Sequence, residues 1–293
     1  MPINHIMSHS QPIPSVNFHL WQPCNMRCKF CFAPFLDVKQ QLLPKGHLPM
    51  MESVKVVRQL AKAGFQKINF AGGEPTLCPW LPELIEIAKA AGMTTSIVTN
   101  GSQLTEAYLN RLQPHLDWIA VSIDSVNPNT NLMSGRATAG KHAYDGAYYV
   151  SMLNRIRSRG FRLKVNTTVN RTNYRENLND FIRQVDPERW KVFQVLPVEG
   201  QNSAHISDFA IANYQFDHFL RTHRNIECLV PESNELLTGS YVMLDPAGRF
   251  FDNVTGRHNY SDPILEVGWQ RAIGQIDYRP DTFQARGGHY DWE

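Results

Sequence analysis

Apolar residues recur along this chain in two alternating patterns. Runs with apolar residues at helical spacing cover residues 52–63, 81–91, 104–112, 143–158 and 178–185. Strand-like runs precede, separate or follow them at residues 16–21, 67–70, 94–98, 118–123, 161–169 and 190–196. Strands that alternate with helices in this way pair in parallel and are joined by right-handed crossovers. The pattern therefore predicts an α/β fold with a parallel sheet.

The number of repeating units limits the architecture further. Six strand–helix units are too few for a closed eight-unit barrel, so the pattern favours an open, partial (β/α)6 barrel. We expect this barrel to cover residues 16–198, after an extended, proline-containing lead-in at 1–15. From residue 199 the alternation stops, and 199–293 is predicted to be a loop-rich extension with one clear helix at 214–224.

Composition narrows the class of protein. Of the 293 residues 42% are hydrophobic, which is enough for a substantial core, and the net charge of +2 gives no reason to expect a nucleic-acid polymer as partner. No apolar run approaches the length of a transmembrane helix, and the first fifteen residues lack the basic start and apolar centre of a signal peptide. Five cysteines do not suggest a disulfide framework. The sequence thus predicts a cytoplasmic protein that does not attach to membranes.

Three cysteines carry the clearest chemical signal. Cys24, Cys28 and Cys31 follow the first strand at CxxxCxxC spacing. A structural zinc normally takes four protein ligands, and so does an ordinary [4Fe–4S] cluster. A cluster held by three cysteines leaves one iron open to another ligand. The alternatives are a zinc knuckle without a nearby His, or three buried apolar thiols. Cys78 and Cys228 stand alone, with no CxxC or CxxH partner, which favours the cluster.

Together with Phe30 before the third cysteine, this spacing resembles the signature of the radical S-adenosylmethionine (SAM) enzymes. The resemblance implies a [4Fe–4S] cluster on the three cysteines, whose open iron chelates SAM, and an electron that splits SAM into methionine and a 5′-deoxyadenosyl radical. A GGEP stretch follows the second strand, where Gly72 and Gly73 allow close backbone approach and Glu74 accepts from the methionine ammonium. The other residues expected at SAM are Phe30, Asn100, Ser122 and Arg136.

The alternation of side chains along three strands points to the substrate. Alternate residues of a strand face the same side. Lys67 and Asn69, Lys164 and Asn166, and Arg189 and Lys191 each alternate with apolar residues that pack on helices, so four cations and two amides should face the barrel interior. Asp and Glu partners are scarce on the neighbouring strands, and buried unpaired charge is costly. A polyphosphate would satisfy these cations. The alternative is that some of them reach solvent from strand beginnings.

Over residues 16–292 the chain resembles the viperins, which are radical SAM antiviral enzymes. The resemblance is carried by CNMRCKFCF at 24–32, KINF at 67–70, GGEP at 72–75, RWKVFQ at 189–194, CLVPESN at 228–234, Ser240-Tyr241, Leu244-Asp245 and RGG at 286–288. It implies a lyase-type reaction: 4′-hydrogen abstraction from a nucleoside triphosphate, then loss of the 3′-hydroxyl as water. The product is a 3′-deoxy-3′,4′-didehydro nucleotide that terminates viral RNA chains.

The same resemblance assigns residues. It implies that Lys67, Lys164, Arg189, Lys191 and Arg286 grip the triphosphate, that Asn69 and Asn166 lie at the substrate, and that Tyr241 helps to reduce the intermediate. Residues 228–293 become a candidate lid. The reaction needs an external electron donor such as a flavodoxin or a ferredoxin.

The sequence differs from the animal viperins at several positions, so their membrane attachment and nucleotide preference cannot simply be transferred to this chain. The short segment before Cys24 has no amphipathic helix and favours a prokaryotic viperin-like protein. Ala33, Ala71, His289 and residues 252–262 differ from the animal pattern at positions expected near the tail and the nucleotide. The resemblance therefore leaves CTP, UTP and GTP open as substrates.

Two other functions remain open on the sequence. A molybdenum-cofactor cyclase also uses a purine triphosphate in a partial barrel, but it needs a second cluster from C-terminal cysteines, and only Cys228 lies beyond residue 78. An iron–sulfur protein without catalysis of its own would have no use for GGEP or the inward cations.

Overall fold

The computed structural model describes residues 14–292. The predicted lead-in therefore lies outside the described residues except for Pro14 and Ser15, and Ser15 begins the first strand. Within the described range one sheet contains ten strands: β1 Ser15–Trp21, β2 Lys67–Gly72, β3 Thr94–Thr99, β4 Trp118–Ser122, β5 Arg162–Val169, β6 Arg189–Gln194, β7 Leu229–Glu232, β8 Met243–Leu244, β9 Arg249–Asp252 and β10 Asn259–Pro263.

Helices connect the strands and continue through the C-terminal part. They are α1 Met50–Lys62, α2 Leu81–Ala90, α3 Glu106–Leu112, α4 Pro128–Ser134, α5 Gly146–Arg157, α6 Asn179–Val185, α7 Ile206–Phe209, α8 Asn213–Thr222, α9 Asn234–Leu237, α10 Ile264–Val267, α11 Trp269–Ile273 and α12 Pro280–Ala285. A π-helical turn covers Val38–Leu42 and a 3-10 turn covers Pro75–Leu77. Between residues 14 and 292, no helix combines the length and apolarity needed to span a bilayer.

The sheet is parallel through its centre and open at one seam. Strands β1 to β7 lie side by side in chain order, β8 pairs in parallel with β1, and β9 and β10 extend that edge in antiparallel fashion. The two ends of the parallel set nevertheless approach each other, because the hydroxyl of Tyr241, just before β8, donates to Glu232 of β7 at 2.5 Å. The architecture is a partial barrel, as the sequence pattern predicts.

The alternation along the strands explains how the layers form. In β1, Val16, Phe18 and Leu20 are almost completely buried on the helix-facing side. Helix α1 covers that side with apolar residues at helical spacing, including Val57 and Leu60, which are fully buried. Burying such side chains contributes about 1.5–3 kcal/mol each. The remaining face of each strand is left for the barrel interior.

The extension contains more regular structure than its sequence pattern indicates. Strands β7 to β10 add residues 229–263 to the same sheet; α7 and α8 precede them, and four short helices separate or follow them. These strands are only two to five residues long, which is too short for a period of two to be recognised. The helices of the barrel lie within three residues of their predicted limits, and α4 is an additional helix in the β4–α5 connection.

Candidate active site

The three cysteines lie in a loop, here called the cluster loop (residues 22–36), at the carboxyl end of β1. Backbone hydrogen bonds shape it, including Cys31 N to Cys28 O at 3.2 Å, and the amide of Met26 donates to the sulfur of Cys24 at 3.4 Å. Burial raises the pKa of Cys24 to about 11 and that of Cys31 to about 12. Without a metal these thiols hold their protons at neutral pH, whereas a bound metal ion deprotonates them outright.

The spacing of the thiols bears on which metal group they fit. Among the described residues, no group of three or more His, Cys, Asp or Glu side chains gathers tightly enough to hold one metal ion. Zinc would need such a group, because all its ligands surround a single ion at about 2.0–2.3 Å. An iron–sulfur cube instead offers each thiolate an iron of its own, so its ligands are spread more widely. The number of thiols favours a cube: three would bind three of its irons and leave the fourth open, whereas zinc would lack its usual fourth ligand.

The two glycines after β2 pack directly against the cluster loop. A Cβ on Gly73 would lie 2.6 Å from the carbonyl oxygen of Pro23 and closer still to that of Gln22. Gly72 has a φ of 152°, which side chains rarely adopt, and a Cβ there would meet the backbone of Trp21 at 3.0 Å or less. Sequence reasoning attributed these glycines to close approach of a ligand. In the structure they first allow β2 to meet the backbone that carries the cysteines.

Glu74 is completely buried and joins the ends of two strands. Its Oε1 accepts from the hydroxyl of Thr99 at 2.7 Å and from the amide of Thr76 at 3.1 Å. The hydroxyl of Thr76 also donates to Oε1. Its Oε2 accepts from the amide of Asn100 at 2.7 Å. The side-chain amide of Asn100 in turn donates to Asn25 of the cluster loop at 2.8 Å. Glu74 and Asn100 thus hold the cluster loop to the carboxyl ends of β2 and β3.

Arg136 is buried rather than solvated, with 7% of its surface exposed. It follows α4, forms an ion pair with Asp124, and donates to the carbonyl oxygen of Ser122 at 3.5 Å. Its guanidinium lies 6.0 Å from the ring centre of Phe30. These contacts bring Phe30, Ser122 and Arg136 together, and Asp124 already neutralises the arginine. Their contact with SAM stays a prediction.

Helix α4 is attached to the cluster loop through its last turn. The amide of Arg27 donates to the carbonyl of Gly135 at 3.1 Å, and that of Lys29 donates to Ser134 at 3.0 Å. Gly135 has a φ of 80°, and a Cβ there would collide with the carbonyl of Arg27. The position of Arg136 is therefore set by contacts with the same loop that carries the thiols.

A second group of side chains lies toward the amino ends of the strands. We call it the cation cluster, and its members are Lys67, Lys164, Arg189, Lys191 and Arg286. Strand registers place Lys164 beside Arg189 and Asn166 between Ser122 and Lys191. Lys164, Arg189 and Lys191 thus lie on the neighbouring strands β5 and β6, Lys67 begins β2, and Arg286 follows α12. The thiols follow the carboxyl end of β1, at the opposite end of the barrel.

Tyr290 and Trp118 surround two members of this cation cluster, Lys67 and Lys164, here called its first half. The ammonium of Lys67 lies 2.5 Å from the hydroxyl of Tyr290, and Lys164 makes a hydrogen bond to the same hydroxyl. Both ammonium groups lie within 5.1 Å of the Trp118 ring centre. Burial lowers the pKa of Lys67 to about 7 and lowers that of Lys164 well below its usual value. No carboxylate bonds to either ammonium within the described range.

The second half of the cluster contains a carboxylate, contrary to the expected scarcity of Asp and Glu. Glu232 of β7 forms an ion pair with Lys191 at 2.5 Å and with Arg286 at 3.5 Å. The alternation of single strands did not reveal it, because β7 is too short to be recognised. Tyr241 lies in the same group, with its hydroxyl 2.7 Å from the Lys191 ammonium. Arg189 donates to the carbonyl of Gly287 at 2.9 Å.

Several buried polar atoms beside these groups have no hydrogen-bond partner among the described residues. They include Oδ1 of Asn69, Oδ1 of Asn166, Nε of Arg189 and Oγ of Ser240. The other end of the Asn69 side chain donates to Asn17 at 3.1 Å. A buried unpaired polar group costs about 1–3 kcal/mol. Open hydrogen-bonding positions on inward-facing side chains are what a polar substrate would satisfy.

Two buried histidines are also present near the cluster loop. His19 has no hydrogen-bond partner at either ring nitrogen, and burial lowers its pKa to about 3, with His258 lowering it further. Its ring packs against Phe35 and Phe251, and Phe251 also contacts His258. The divergent segment 252–262 therefore packs beside the cluster loop, whereas His289 contacts Phe283 of the tail. Sequence reasoning did not single out His19, although its alternation with Phe18 and Leu20 marks it as inward-facing.

The fold and the cluster loop define the class of protein. The model of the radical SAM superfamily matches residues 21–185, which is more than half of the chain. Native anSMEcpe with bound AdoMet superposes with a TM-score of 0.70 at 12% identity, over 92% of this chain and 82% of that chain. Streptococcus suis SuiB bound to precursor peptide SuiA superposes with a TM-score of 0.62 at 14% identity, over 94% of this chain and 66% of that chain. At such identities the likeness concerns the fold alone.

Sequence relatives narrow the class to a family. A Flammeovirga pacifica protein named S-adenosylmethionine-dependent nucleotide dehydratase is 52% identical over 99% of this chain and 100% of its own length. A Lacinutrix mariniflava protein of that name is 58% identical over 96% of this chain, which spans 59% of that relative's length. The Danio rerio protein with the added designation RSAD2 is 38% identical over 95% of this chain and 78% of its own length. The chain belongs to this family, and the resemblance to the viperins is confirmed.

Proposed function

We propose that this chain is a radical SAM nucleotide dehydratase. It converts a nucleoside triphosphate to the 3′-deoxy-3′,4′-didehydro analogue by 4′-hydrogen abstraction and loss of the 3′-hydroxyl as water. CTP, UTP and GTP are the candidate substrates, and the product acts as an antiviral chain terminator. Because three of five cysteines are assigned to an iron–sulfur cluster, we place the reaction in the reducing cytoplasm.

One observation carries this proposal: a cation cluster faces the same barrel interior as the cysteine loop, at its opposite end. Along β2, Lys67 and Gly72 are five residues apart, which corresponds to about 16 Å at the usual rise per residue. A substrate with an anionic end and a reactive end fits such an axis. It would bind its phosphates at the cations and present its ribose toward the cluster loop.

The chain's own residues would divide the work as follows. Cys24, Cys28 and Cys31 hold a [4Fe–4S] cluster, and Phe30, Gly72, Gly73, Glu74, Asn100, Ser122 and Arg136 contact SAM. Lys67, Lys164, Arg189, Lys191 and Arg286 bind the triphosphate, while Asn69 and Asn166 satisfy polar groups near the sugar. Fixing the phosphates orients the ribose before reaction. When bound, the cluster and SAM supply the 5′-deoxyadenosyl radical that removes the 4′-hydrogen.

After that abstraction, loss of the 3′-hydroxyl as water takes one proton and one electron. We assign both to the O–H group of Tyr241, which would give them up together as a hydrogen atom; the contacts of Tyr241 with Lys191 and Arg286 support this assignment. A reduced flavodoxin or ferredoxin would return one electron to the tyrosine, and a solvent proton would complete the phenol. The extension 199–293 would cover the substrate site and keep water away from the radical.

The test is anaerobic incubation of the reconstituted, reduced protein with SAM and a mixture of the four nucleoside triphosphates. We expect 5′-deoxyadenosine to form in a nucleotide-dependent manner, and one nucleotide to yield a product lighter by one water in mass spectrometry. Cys28→Ala is the matched control; it should show no iron–sulfur absorbance and form no 5′-deoxyadenosine. A wild-type protein that holds the cluster yet forms no nucleotide-dependent 5′-deoxyadenosine would instead be a non-catalytic iron–sulfur protein.

A further inference from the structure

Among the described residues, Glu232 is the one acidic side chain that forms ion pairs with members of the cation cluster, and it is completely buried. Its Oε1 contacts the ammonium of Lys191 at 2.5 Å and the guanidinium of Arg286 at 3.5 Å. Its Oε2 accepts the hydroxyl hydrogen of Tyr241 at 2.5 Å. The carboxylate therefore bonds to two proposed phosphate ligands and to the proposed hydrogen donor at once.

A carboxylate at this position opposes the binding of a triphosphate. It neutralises part of the charge of Lys191 and Arg286, and it repels an incoming polyanion. A buried charge is also expensive unless it is paired and hydrogen-bonded. A residue that served only to bind phosphate would not be Glu. The geometry points to a role exerted through Tyr241 instead.

Three neighbouring side chains hold Tyr241. It donates to Glu232, it accepts from the ammonium of Lys191 at 2.7 Å, and its ring stacks on the guanidinium of Arg286 at 3.6 Å. Lys191 has only donors and Glu232 has only acceptors when ionised. The pair therefore leaves the tyrosine a single direction for its hydrogen. Without Glu232 the hydroxyl oxygen would lose one of the two side chains that hold it in place.

We propose that Glu232 is a positioning residue: its carboxylate holds the hydroxyl oxygen of Tyr241 in place, and the O–H hydrogen turns from the carboxylate to the substrate radical for the final reduction. This role rests on the proposed nucleotide dehydration. When phosphates bind Lys191 and Arg286, the carboxylate keeps the phenol in place while the cations turn to their ligand. Glu232 touches neither cofactor nor substrate in this account, and it acts only through the tyrosine.

The charge states agree with this geometry. Burial alone would raise the pKa of Glu232, but the adjacent Lys191 and Arg286 hold it below its usual value, so the carboxylate is ionised at neutral pH. Burial and the neighbouring carboxylate raise the pKa of Tyr241 well above its usual value, against the effect of Arg286. The tyrosine thus keeps its hydrogen, and the hydrogen bond runs from tyrosine to carboxylate.

The test is Glu232→Gln, which preserves the shape of the side chain but removes the charge. We expect nucleotide-dependent 5′-deoxyadenosine to form at a rate within about threefold of wild type, because abstraction precedes the step served by Tyr241. The amount of dehydrated product per 5′-deoxyadenosine should fall about tenfold, since charge-assisted hydrogen bonds are roughly twice as strong as neutral ones. Calorimetry without SAM should show triphosphate binding at least as tight as in wild type. Glu235→Gln, on the exposed surface three residues later, is the matched control.

A double-mutant cycle with Tyr241→Phe separates positioning from structural damage. Tyr241→Phe alone should lower product per 5′-deoxyadenosine, and adding Glu232→Gln should lower it no further. Glu232→Asp keeps the charge but withdraws the carboxylate from Tyr241, so it should lower the same ratio and leave triphosphate affinity near wild type. If Glu232→Gln folds poorly, Glu232→Asp decides the question.

Two results would overturn the proposal. One is a wild-type product ratio in Glu232→Gln and Glu232→Asp; the other is weaker triphosphate binding with an intact ratio, which would assign Glu232 to the cation cluster alone. Failure of the proposed function looks different, because wild type itself would then form no nucleotide-dependent 5′-deoxyadenosine.

Discussion

At the scale of single residues, the site combines strong positive charge with few internal counter-charges. Lys67 and Lys164 share the hydroxyl of Tyr290, a neutral group whose pKa burial raises to about 12. A phenol satisfies an ammonium only in part, so both lysines retain the capacity to bind an anion. A triphosphate that displaces this hydroxyl would exchange a neutral partner for a charged one.

Replacing Lys164 with Ala tests that capacity. A hydrogen bond to a charged group contributes about 1.5–3 kcal/mol, so the KM for the nucleotide should rise roughly 10–100-fold. The iron–sulfur absorbance should be unchanged, because Lys164 lies at the end of the barrel away from the thiols. Lys62→Ala, at the end of α1, is the control. Unchanged turnover of Lys164→Ala at low nucleotide concentration would contradict the assignment.

Nucleotide binding should also take up protons. Burial lowers the pKa of Lys67 to about 7 and that of Lys191 to about 8, so part of the cation cluster is neutral above these pH values. A bound triphosphate favours the charged forms and raises both pKa values again. Affinity should therefore fall as the pH rises from about 7 to 9. Calorimetry at about pH 8 in two buffers of different ionisation enthalpy would measure the uptake, and heats independent of the buffer would refute it.

The inward cations were predictable from sequence, and their partners were not. Lys67, Lys164 and Lys191 lie on long strands, where a period of two separates interior from helix-facing positions. Glu232 and Tyr290 reach the site from a four-residue strand and from the tail. Contacts between residues so far apart in the chain leave no local pattern.

At the scale of elements, the carboxyl ends of β1 and β2 and the last turn of α4 form one packed unit with the cluster loop. The amide of Gly73 donates to the carbonyl of Trp21 at 2.5 Å, and that of Glu74 donates to Pro23 at 3.0 Å. The GGEP motif was predicted from resemblance to contact SAM. Its packing against the loop could not be predicted, because the motif alone does not give the distance between two backbones.

Gly73→Ala should therefore disturb the cluster loop itself. The added Cβ would meet two carbonyl oxygens, and such overpacking typically costs about 1–3 kcal/mol. We expect a lower melting temperature and less iron bound per protein after reconstitution. Gly146→Ala is the matched control, because its Cβ would touch only the Val126 side chain at 3.4 Å. Equal iron content in the two variants would show that the close packing has no influence on the cluster.

At the scale of the whole molecule, the C-terminal part completes what the barrel leaves open. Strands β7 and β8 occupy the two edges of the parallel set, and residues 286–292 carry Arg286, Tyr290 and Trp292 to the amino ends of the strands. The carbonyl of Trp292 accepts from the indole of Trp118 at 2.9 Å. The partial barrel was predictable from alternation alone. That the tail covers the substrate site is expected only from resemblance, because the tail has no periodic pattern, and it stays a prediction.

Deleting residues 289–293 should open that end. Lys67 and Lys164 would become exposed and more strongly hydrated, so a triphosphate would have to displace water from both ammonium groups. We therefore expect the KM for nucleotide to rise about tenfold, which corresponds to one hydrogen bond to a charged group. Cluster content and SAM binding should stay near wild type. Changing only the last residue, by deleting residue 293, is the control. A truncated protein with unchanged KM would show that the tail does not contribute to phosphate binding.

The most direct test of the central claim is isotope transfer from the nucleotide held by the cation cluster. The reduced, reconstituted protein is incubated with SAM and a nucleoside triphosphate deuterated at C4′, and the 5′-deoxyadenosine is analysed by mass spectrometry. We predict one deuterium in the 5′-deoxyadenosine, together with a nucleotide product lighter by one water. Unlabelled 5′-deoxyadenosine from every triphosphate offered would contradict the account.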